Sequence, residues 1–185
     1  VKMKEDGELV RMSKRAGNIV TLDDVIETVG RDVARFFYLN KKADAQLEFD
    51  IDLALKHTDE NPVYYIQYAY VRTFSILQKA AELDALKNIA SHDTVHLSAD
   101  EGLLIKKMVS LQTLLADISS NYQTYLLAQF ALELATLFHQ YYSAHRVINP
   151  DDSNTSRGRL LVVTLVRSTL DTVLQLLKIS RPERM

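Results

Sequence analysis

Four long segments after residue 60 carry apolar residues at the spacing of a helix, and they constrain the fold more than any other feature. They begin near residues 60, 98, 123 and 155. Apolar residues three and four positions apart form a stripe along one side of a helix, which must be buried against another element. Asn61-Pro62 and the capping box from Ser98 to Glu101 mark two of the helix starts. The pattern therefore predicts a helical bundle from about residue 60 onward.

The first sixty residues follow a different pattern. Apolar and charged residues alternate on both sides of Glu5-Asp6-Gly7, which predicts a β-hairpin with the glycine at a positive φ. Thr21 is the predicted N-cap of a short helix that stops at Gly30, and a second helix should run over about 32–40. Residues 41–50 lack periodicity and read as a connector. The predicted fold class is mainly α, with a hairpin and connecting helices ahead of the bundle.

Composition excludes several classes of protein. The chain has 47% hydrophobic residues, which is enough for a core, and no cysteine, which rules out disulfides and thiolate chemistry. No uninterrupted apolar run approaches the roughly 20 residues that a membrane span needs. The net charge of -2 does not indicate a polyanionic partner, so any site for a polyanion must come from local clustering of basic residues. Because residue 1 is Val and the pattern there is already that of folded structure, we expect a fragment of a longer chain.

A basic stretch follows the predicted hairpin. Arg11 and Arg15 flank Lys14, and Gly17-Asn18 comes directly afterwards. A mobile ammonium, a planar guanidinium and a glycine that lets backbone N–H groups approach would suit a polyphosphate. The alternative is a solvated surface loop with no ligand.

No catalytic constellation can be assembled from these residue types. His92 and His96 have the i, i+4 spacing of a metal pair, but they lie in a segment without periodicity and lack further ligands. Solvated loop residues explain them better, and we predict no metal site. The carboxylates that could form a catalytic pair are explained better as helix starts and solvated surface: Asp50, Asp52, Asp59 and Glu60.

The tyrosines of the first bundle helix are more informative. The positions that helical spacing places in the core are Ile66, Tyr70, Phe74, Leu77 and Ala81. With that face inward, Tyr65, Ala69 and Arg72 share an exposed face at i, i+4 and i+7. An aromatic ring, a small residue and a guanidinium would suit an unstacked base beside a phosphate. The alternative is that these tyrosines are amphipathic bundle residues with solvated hydroxyls.

Two later segments favour the RNA interpretation. The third bundle helix, near its end, repeats the composition with Tyr141, Tyr142, His145 and Arg146. Between Ser153 and Pro182 the basic residues outnumber a single acid, Asp171. These basic residues are Arg157, Arg159, Arg167, Lys178 and Arg181. A locally basic strip in an acidic chain is typical of a surface that meets a phosphate backbone.

Several stretches resemble a known family. Arg11-Met12-Ser13-Lys14-Arg15 resembles the Lys-Met-Ser-Lys-Ser signature of class I aminoacyl-tRNA synthetases, and the chain continues from it as that class does. The stretches that narrow the resemblance to arginyl-tRNA synthetases cover residues 47–52, 60–69 and 181–185. The resemblance extends over essentially the whole chain.

The resemblance implies an activity for the full-length protein. Members of the family join arginine to its tRNA with ATP, and Mg²⁺ accompanies the ATP. The signature loop closes over ATP, so Ser13, Lys14 and Arg15 would contact it, and Lys14 would stabilise charge that develops on the phosphates. Arg11 and Arg15 depart from the signature, and Met12 and Ser13 match it. No cofactor is expected on this fragment alone, and without the nucleotide-binding sheet and its His-x-Gly-His motif we expect no aminoacylation.

The resemblance also implies a division of the chain and a tRNA site. Residues 1–59 would be the end of the catalytic domain, and residues 60–185 an α-helical anticodon-binding domain. The residues expected to contact the anticodon region are Tyr65, Ala69, Arg72, Tyr141 or Tyr142, Arg146 and Met185. The tRNA for arginine is the expected partner, the cytoplasm the expected location and a monomer the favoured state, with no membrane involved.

Two alternatives remain open. The bundle could be a helical scaffold that binds a protein partner through its apolar or tyrosine-rich faces. The chain could also be the same region of a cysteinyl- or methionyl-tRNA synthetase. RNA binding that weakens steeply with salt and prefers one anticodon would separate these readings.

Overall fold

The computed structural model describes residues 1–10, 20–83, 97–149 and 151–185, and the predicted fold class is confirmed. The chain is mainly helical with a small sheet near its start. Its elements are β1 (Lys2–Glu5), β2 (Glu8–Val10), α1 (Leu22–Val29), α2 (Arg31–Leu39), β3 (Glu48–Asp50), α3 (Ile51–Leu55), α4 (Pro62–Ala81), α5 (Ala99–Asn121), α6 (Tyr125–Ala144) and α7 (Ser153–Leu177).

The predicted hairpin is confirmed, but the sheet has a third strand. β1 pairs antiparallel with β2 through a turn in which Asp6 and Gly7 have φ of 51° and 79°. β3 pairs parallel with β1 and places Phe49 beside Met3. The prediction that residues 41–50 are only a connector is therefore wrong at its end. A three-residue strand is too short to show alternation, and its pairing partner lies far away in the sequence.

The small N-terminal unit has its own core. Met3 and Phe49 from the sheet pack with Val25 of α1 and Ala34 of α2. Thr21 is the N-cap of α1, as predicted, and the structure adds that it forms a capping box with Asp24. The Lys4 ammonium lies 2.8 Å from the Asp50 carboxylate, joining β1 to the start of α3.

The bundle core lies between α4, α6 and α7, with α5 packed against α6 and α7. Fully buried side chains at its centre include Ile66, Leu134, Phe138, Leu170 and Leu174. By length and composition α7 could also cross a membrane. Ten of its residues are nevertheless buried inside the bundle, as expected of a core helix.

Helix α4 buries a wider face than its spacing suggests. Ile66 and Tyr70 are buried as predicted and Phe74 and Leu77 are half-buried, whereas Ala81 is exposed. The further buried residues of α4 are Val63, Ala69, Val71, Thr73, Ile76 and Ala80. Because α4 packs against both α6 and α7, it needs two contact faces rather than one stripe.

The segment after α7 returns to the N-terminal unit. Ile179 is buried, and the Ser180 backbone N–H donates to Asp32 of α2 over 3.0 Å. The Gln67 side chain of α4 donates to the same carboxylate over 3.1 Å. These bonds connect α2, α4 and the C-terminal segment, so the two units form one packed body.

Candidate nucleic-acid interface

An arginine held between two tyrosine rings forms the centre of the candidate site. The guanidinium carbon of Arg72 lies 4.5 Å from the ring centroid of Tyr68 and 4.6 Å from that of Tyr142. Tyr68 precedes Arg72 by one turn of α4, and Tyr142 comes from α6. A planar, weakly hydrated cation stacks well on aromatic faces, so the three side chains stabilise one another. We call this group, together with Tyr65 and His139, the aromatic–arginine cluster.

His139 connects the members of the cluster by hydrogen bonds and ring contacts. Its Nδ1 lies 2.9 Å from Nη1 of Arg72, and its Nε2 lies 3.2 Å from the Tyr65 carbonyl oxygen. Because a guanidinium can only donate, Nδ1 accepts and Nε2 carries the proton that is donated to the carbonyl. The ring also packs 4.4 Å from that of Tyr65 and 5.8 Å from that of Tyr68, measured between centroids. One tautomer thus satisfies both neighbours.

Burial lowers the pKa of His139, and the charge of Arg72 lowers it further against the opposing effects of the Tyr65 carbonyl and Asp59. The ring is therefore neutral at pH 7. Protonation would turn Nδ1 into a donor facing the donors of Arg72, which the cluster cannot accommodate.

A pH dependence of stability follows from this shift. Because the folded-state pKa lies below that of the unfolded chain, the contribution of His139 is complete above about pH 6.5 and declines as the pH falls towards the folded-state value. We expect the melting temperature to fall between pH 7.5 and 5.5, and to fall less in His139→Gln. Thermal melts of both proteins across this range measure the difference, and identical slopes would contradict it.

A basic cleft continues from the cluster. Its volume is about 530 Å³, and its walls include Arg72, Lys79, Tyr142, His145 and Arg146. The backbone carbonyl of Arg146 accepts from Arg159 over 2.8 Å, while its own Nε donates to the Ile148 carbonyl over 3.1 Å. Aromatic rings beside a cleft lined with cations are typical of surfaces that hold single-stranded nucleotides.

The tyrosine next to Tyr142 has a structural role. Tyr141 is buried, and its hydroxyl donates to Glu101 over 2.9 Å. Glu101 also accepts from the Ser98 backbone N–H over 2.7 Å and lies 3.4 Å from Nε of Arg159. Burial alone would raise the pKa of Glu101, but these donors together hold it below its ordinary value. Burial and the adjacent carboxylate raise the pKa of Tyr141 far above its usual range.

The structure brings together part of the predicted site. Arg72, Tyr142 and Arg146 share one surface, and Tyr142 is 38% exposed while Tyr141 is buried, so Tyr142 is the surface tyrosine of the two alternatives. Tyr65 is half-buried beside His139. The prediction that Ala69 lies on an exposed face is wrong, because its side chain is 0% exposed.

Other predicted residues lie elsewhere. Met185 is 49% exposed at the end of a segment that Ser180 and an ion pair between Arg181 and Asp171 hold in place. The signature residues Arg11, Met12, Ser13, Lys14 and Arg15 lie outside the described residues, as do His92 and His96. Within the ranges that the structure describes, no group of three or more His, Asp or Glu side chains could hold a metal ion.

Two of the five cations in the basic strip predicted along the last helix make contacts within the bundle. Arg167 lies 4.6 Å from the ring centroid of Tyr70 and 4.9 Å from that of Phe74, in the contact between α7 and α4. Arg159 pairs with the buried Glu101. These cations stabilise the bundle, so α7 does not present the continuous basic surface that its composition suggested.

Two members of the cluster were missed from the sequence. Tyr68 precedes Arg72 at the i, i+4 spacing, which could have been recognised as a stacking pair on one helix. His139 gave no such signal, because its partners are on α4 and far away in sequence.

A helical bundle with an exposed aromatic and basic surface has the features of an RNA-binding domain. The model of the family described as DALR anticodon binding domain matches residues 66–185, and the chain belongs to this family.

The relatives that match this chain carry the name of one enzyme. The chain is 42% identical over 187 residues to an arginine–tRNA ligase of Moorella thermoacetica and 38% identical over 187 residues to one of Caldanaerobacter subterraneus subsp. tengcongensis, covering 100% of this chain and 33% of each relative. A solved arginyl-tRNA synthetase of Campylobacter jejuni matches with a TM-score of 0.83 and 29% identity, covering 100% of this chain and 39% of that one. The resemblance to arginyl-tRNA synthetases is thus confirmed, and the chain spans about a third of the length of the curated relatives that it matches.

Proposed function

We propose that this chain is the C-terminal, tRNA-recognising part of an arginyl-tRNA synthetase and that its bundle binds the anticodon arm. The observation that carries the proposal is the aromatic–arginine cluster, with Arg72 stacked between Tyr68 and Tyr142 at the mouth of a basic cleft. It lies in a bundle whose family is named for anticodon binding.

The cluster suggests how a nucleotide is held. Tyr142 contacts Arg72 and Phe138 and is still 38% exposed, so the accessible part of its ring would be the place for a base to stack. Arg72, Lys79 and Arg146 would then neutralise phosphates on either side of that base. Because His139 and Tyr68 hold Arg72 in place before any ligand arrives, little side-chain entropy is lost on binding.

The domain boundary proposed is that between residues 59 and 60. Asn61 caps α4, and its side-chain amide donates to the Ala54 carbonyl over 2.9 Å, so the bundle begins immediately after α3. One hydrophobic cluster lies wholly within residues 1–59 and the other lies mainly in the bundle, which supports this division; Phe36 of α2 belongs to the bundle cluster and ties the two parts together. Residues 1–59 would then be the end of the catalytic domain, packed on the bundle through Asp32.

In the whole enzyme the reaction would be the ATP-dependent joining of arginine to its tRNA in the cytoplasm. Lys14, with Arg11, Met12, Ser13 and Arg15, is the proposed contact to the phosphates of ATP, which carries Mg²⁺ as its counter-ion. The fragment would bind the tRNA and align it for the reaction. Incubating it alone with arginine, ATP and tRNA should give no arginylation, and product formation would contradict that division of labour.

A binding experiment tests the anticodon proposal. Replacing Tyr142 by alanine should weaken binding of the anticodon stem-loop of an arginine tRNA by about tenfold, since one stacked base contributes about 1–3 kcal/mol. Fluorescence anisotropy with a labelled stem-loop at a fixed salt concentration measures the change. Stem-loops with the cysteine and methionine anticodons, measured in parallel, should bind more weakly.

The matched control is Tyr64→Ala, because Tyr64 lies on the same helix as Tyr68 but pairs edge-on with His57 instead of Arg72. Its affinity should equal that of the wild type. Binding should also weaken with rising salt, with a slope that reports the phosphates neutralised. Equal loss in both tyrosine variants, or no dependence on salt, would count against an RNA interface at the cluster.

A further inference from the structure

A second cleft lies at the other end of α6. Its volume is about 550 Å³, and it is formed where the segment after α2 meets the turn between α5 and α6. Three tyrosines and two lysines line it together with Asp44: Tyr38, Tyr122, Tyr125, Lys41 and Lys42. Tyr125 and Tyr142 are at opposite ends of α6, about 25 Å apart along a helix that rises about 1.5 Å per residue. This cleft is therefore separate from the aromatic–arginine cluster.

Tyr122 has an unfavourable backbone conformation for its residue type. It ends α5 with φ 59° and ψ 21°, in the left-handed region, and its N–H donates to the Ile118 carbonyl over 2.8 Å. Helices usually end this way on glycine, because a side chain in this conformation costs about 1 kcal/mol or more. Tyr122 is 83% exposed, so burial does not offset that cost. A strained and exposed aromatic residue is a reason to look for a ligand.

The neighbouring groups suit a nucleotide. Nζ of Lys42 lies 5.6 Å from the ring centroid of Tyr125, so the ammonium is held beside an aromatic face. Lys41 and Lys42 outnumber Asp44, the one carboxylate among the lining residues. The Tyr125 hydroxyl donates to Gln123 over 3.2 Å, which fixes one wall of the cleft. Aromatic faces alternating with ammonium groups fit a chain of bases and phosphates.

We propose that this cleft is a second RNA contact, in which a base stacks on Tyr122 and the adjacent phosphates meet Lys41 and Lys42. The proposal rests on the function proposed above, since that function makes RNA the ligand. Because most lining side chains are polar or aromatic and few are aliphatic, RNA fits better than an apolar protein segment. An RNA long enough to reach beyond the anticodon loop would contact both ends of α6.

Replacing Tyr122 by glycine separates a binding role from a structural one. Glycine adopts the left-handed conformation without strain, so the melting temperature should rise. The affinity for a full-length arginine tRNA transcript should fall about five- to tenfold, because the stacking surface is lost. Stability and affinity thus move in opposite directions, and loss of folding cannot explain the weaker binding.

Tyr122→Phe is the matched control, since it keeps both the ring and the strain and should bind the transcript like the wild type. Lys42→Ala should reduce the slope of log affinity against log salt by about one. If Tyr122→Gly melts higher but binds the transcript with unchanged affinity, the second contact is wrong while the anticodon site stands. If the wild-type chain binds neither the transcript nor the stem-loop, both proposals fail.

Discussion

Replacing Glu101 by alanine is expected to lower the free energy of unfolding by about 3 kcal/mol, the largest stability effect of any single polar residue that we predict. The carboxylate is almost fully buried and serves three groups. It accepts from the Ser98 N–H at the start of α5 and from the Tyr141 hydroxyl of α6, and it is the counter-ion of Arg159 on α7. Its loss would leave the buried Tyr141 hydroxyl without its acceptor and the Arg159 guanidinium without its counter-ion, although the Arg146 carbonyl would still accept from that guanidinium.

A surface glutamate provides the control for this variant. Glu133 pairs with Lys107, but its side chain is 62% exposed, and exposed ion pairs contribute between 0 and about 1 kcal/mol. Glu133→Ala should therefore cost less than about 1 kcal/mol in urea unfolding at pH 7. Similar losses in the two variants would show that Glu101 does not connect three helices in the way its contacts indicate.

The loss of folding stability at low pH provides a second test of the role of Glu101. Its donors lower the pKa of the folded state, so its contribution is complete above the unfolded value of about 4.3 and is lost as the pH falls through the lower folded value. Between pH 5 and 3 the wild type should lose stability more steeply than Glu101→Gln. Equal slopes for the two proteins in urea unfolding at several pH values would contradict this assignment.

Local chemistry explains which parts of the fold were predictable from the sequence. The starts of three helices could be predicted from their N-cap residues, because each cap accepts from a backbone N–H only a few residues away. These caps are Thr21, Asn61 and Ser98. β3 could not be predicted in this way, since its three residues depend on a partner strand more than forty positions away. Local signals define the starts of elements, whereas pairing between distant segments has to be observed.

The residues of the candidate site, like the elements of the fold, could be predicted from the sequence only in part. Arg72 and Tyr142 were singled out from residue type and spacing, and the structure brings them together. Ala69 was placed on the exposed face because one apolar stripe was assumed, whereas α4 packs against two helices and buries it. His139 was not singled out from the sequence, because only the folded bundle brings it to Arg72.

Replacing Arg72 by alanine is expected to weaken binding of the arginine anticodon stem-loop by about 100-fold, the largest effect on RNA affinity that we predict. The variant removes a cation from the mouth of the basic cleft. It also removes the group on which the rings of Tyr68 and Tyr142 are stacked, so the surface offered to a base is no longer held in place. A lost charge contact and a disordered stacking surface of about 1–3 kcal/mol together account for that magnitude.

The lysine variant distinguishes geometry from charge. Arg72→Lys keeps the positive charge but loses the planar fork that stacks between two rings and donates to His139. We expect it to weaken binding about tenfold with little change in the dependence on salt, because the number of cations facing the phosphates stays the same. Arg167→Lys makes the same substitution at another ring-stacked arginine, in the contact between α7 and α4, and should leave RNA affinity unchanged. If Arg72→Lys binds as tightly as Arg167→Lys, the stacked arrangement serves the bundle alone, because RNA would then sense only the charge at position 72.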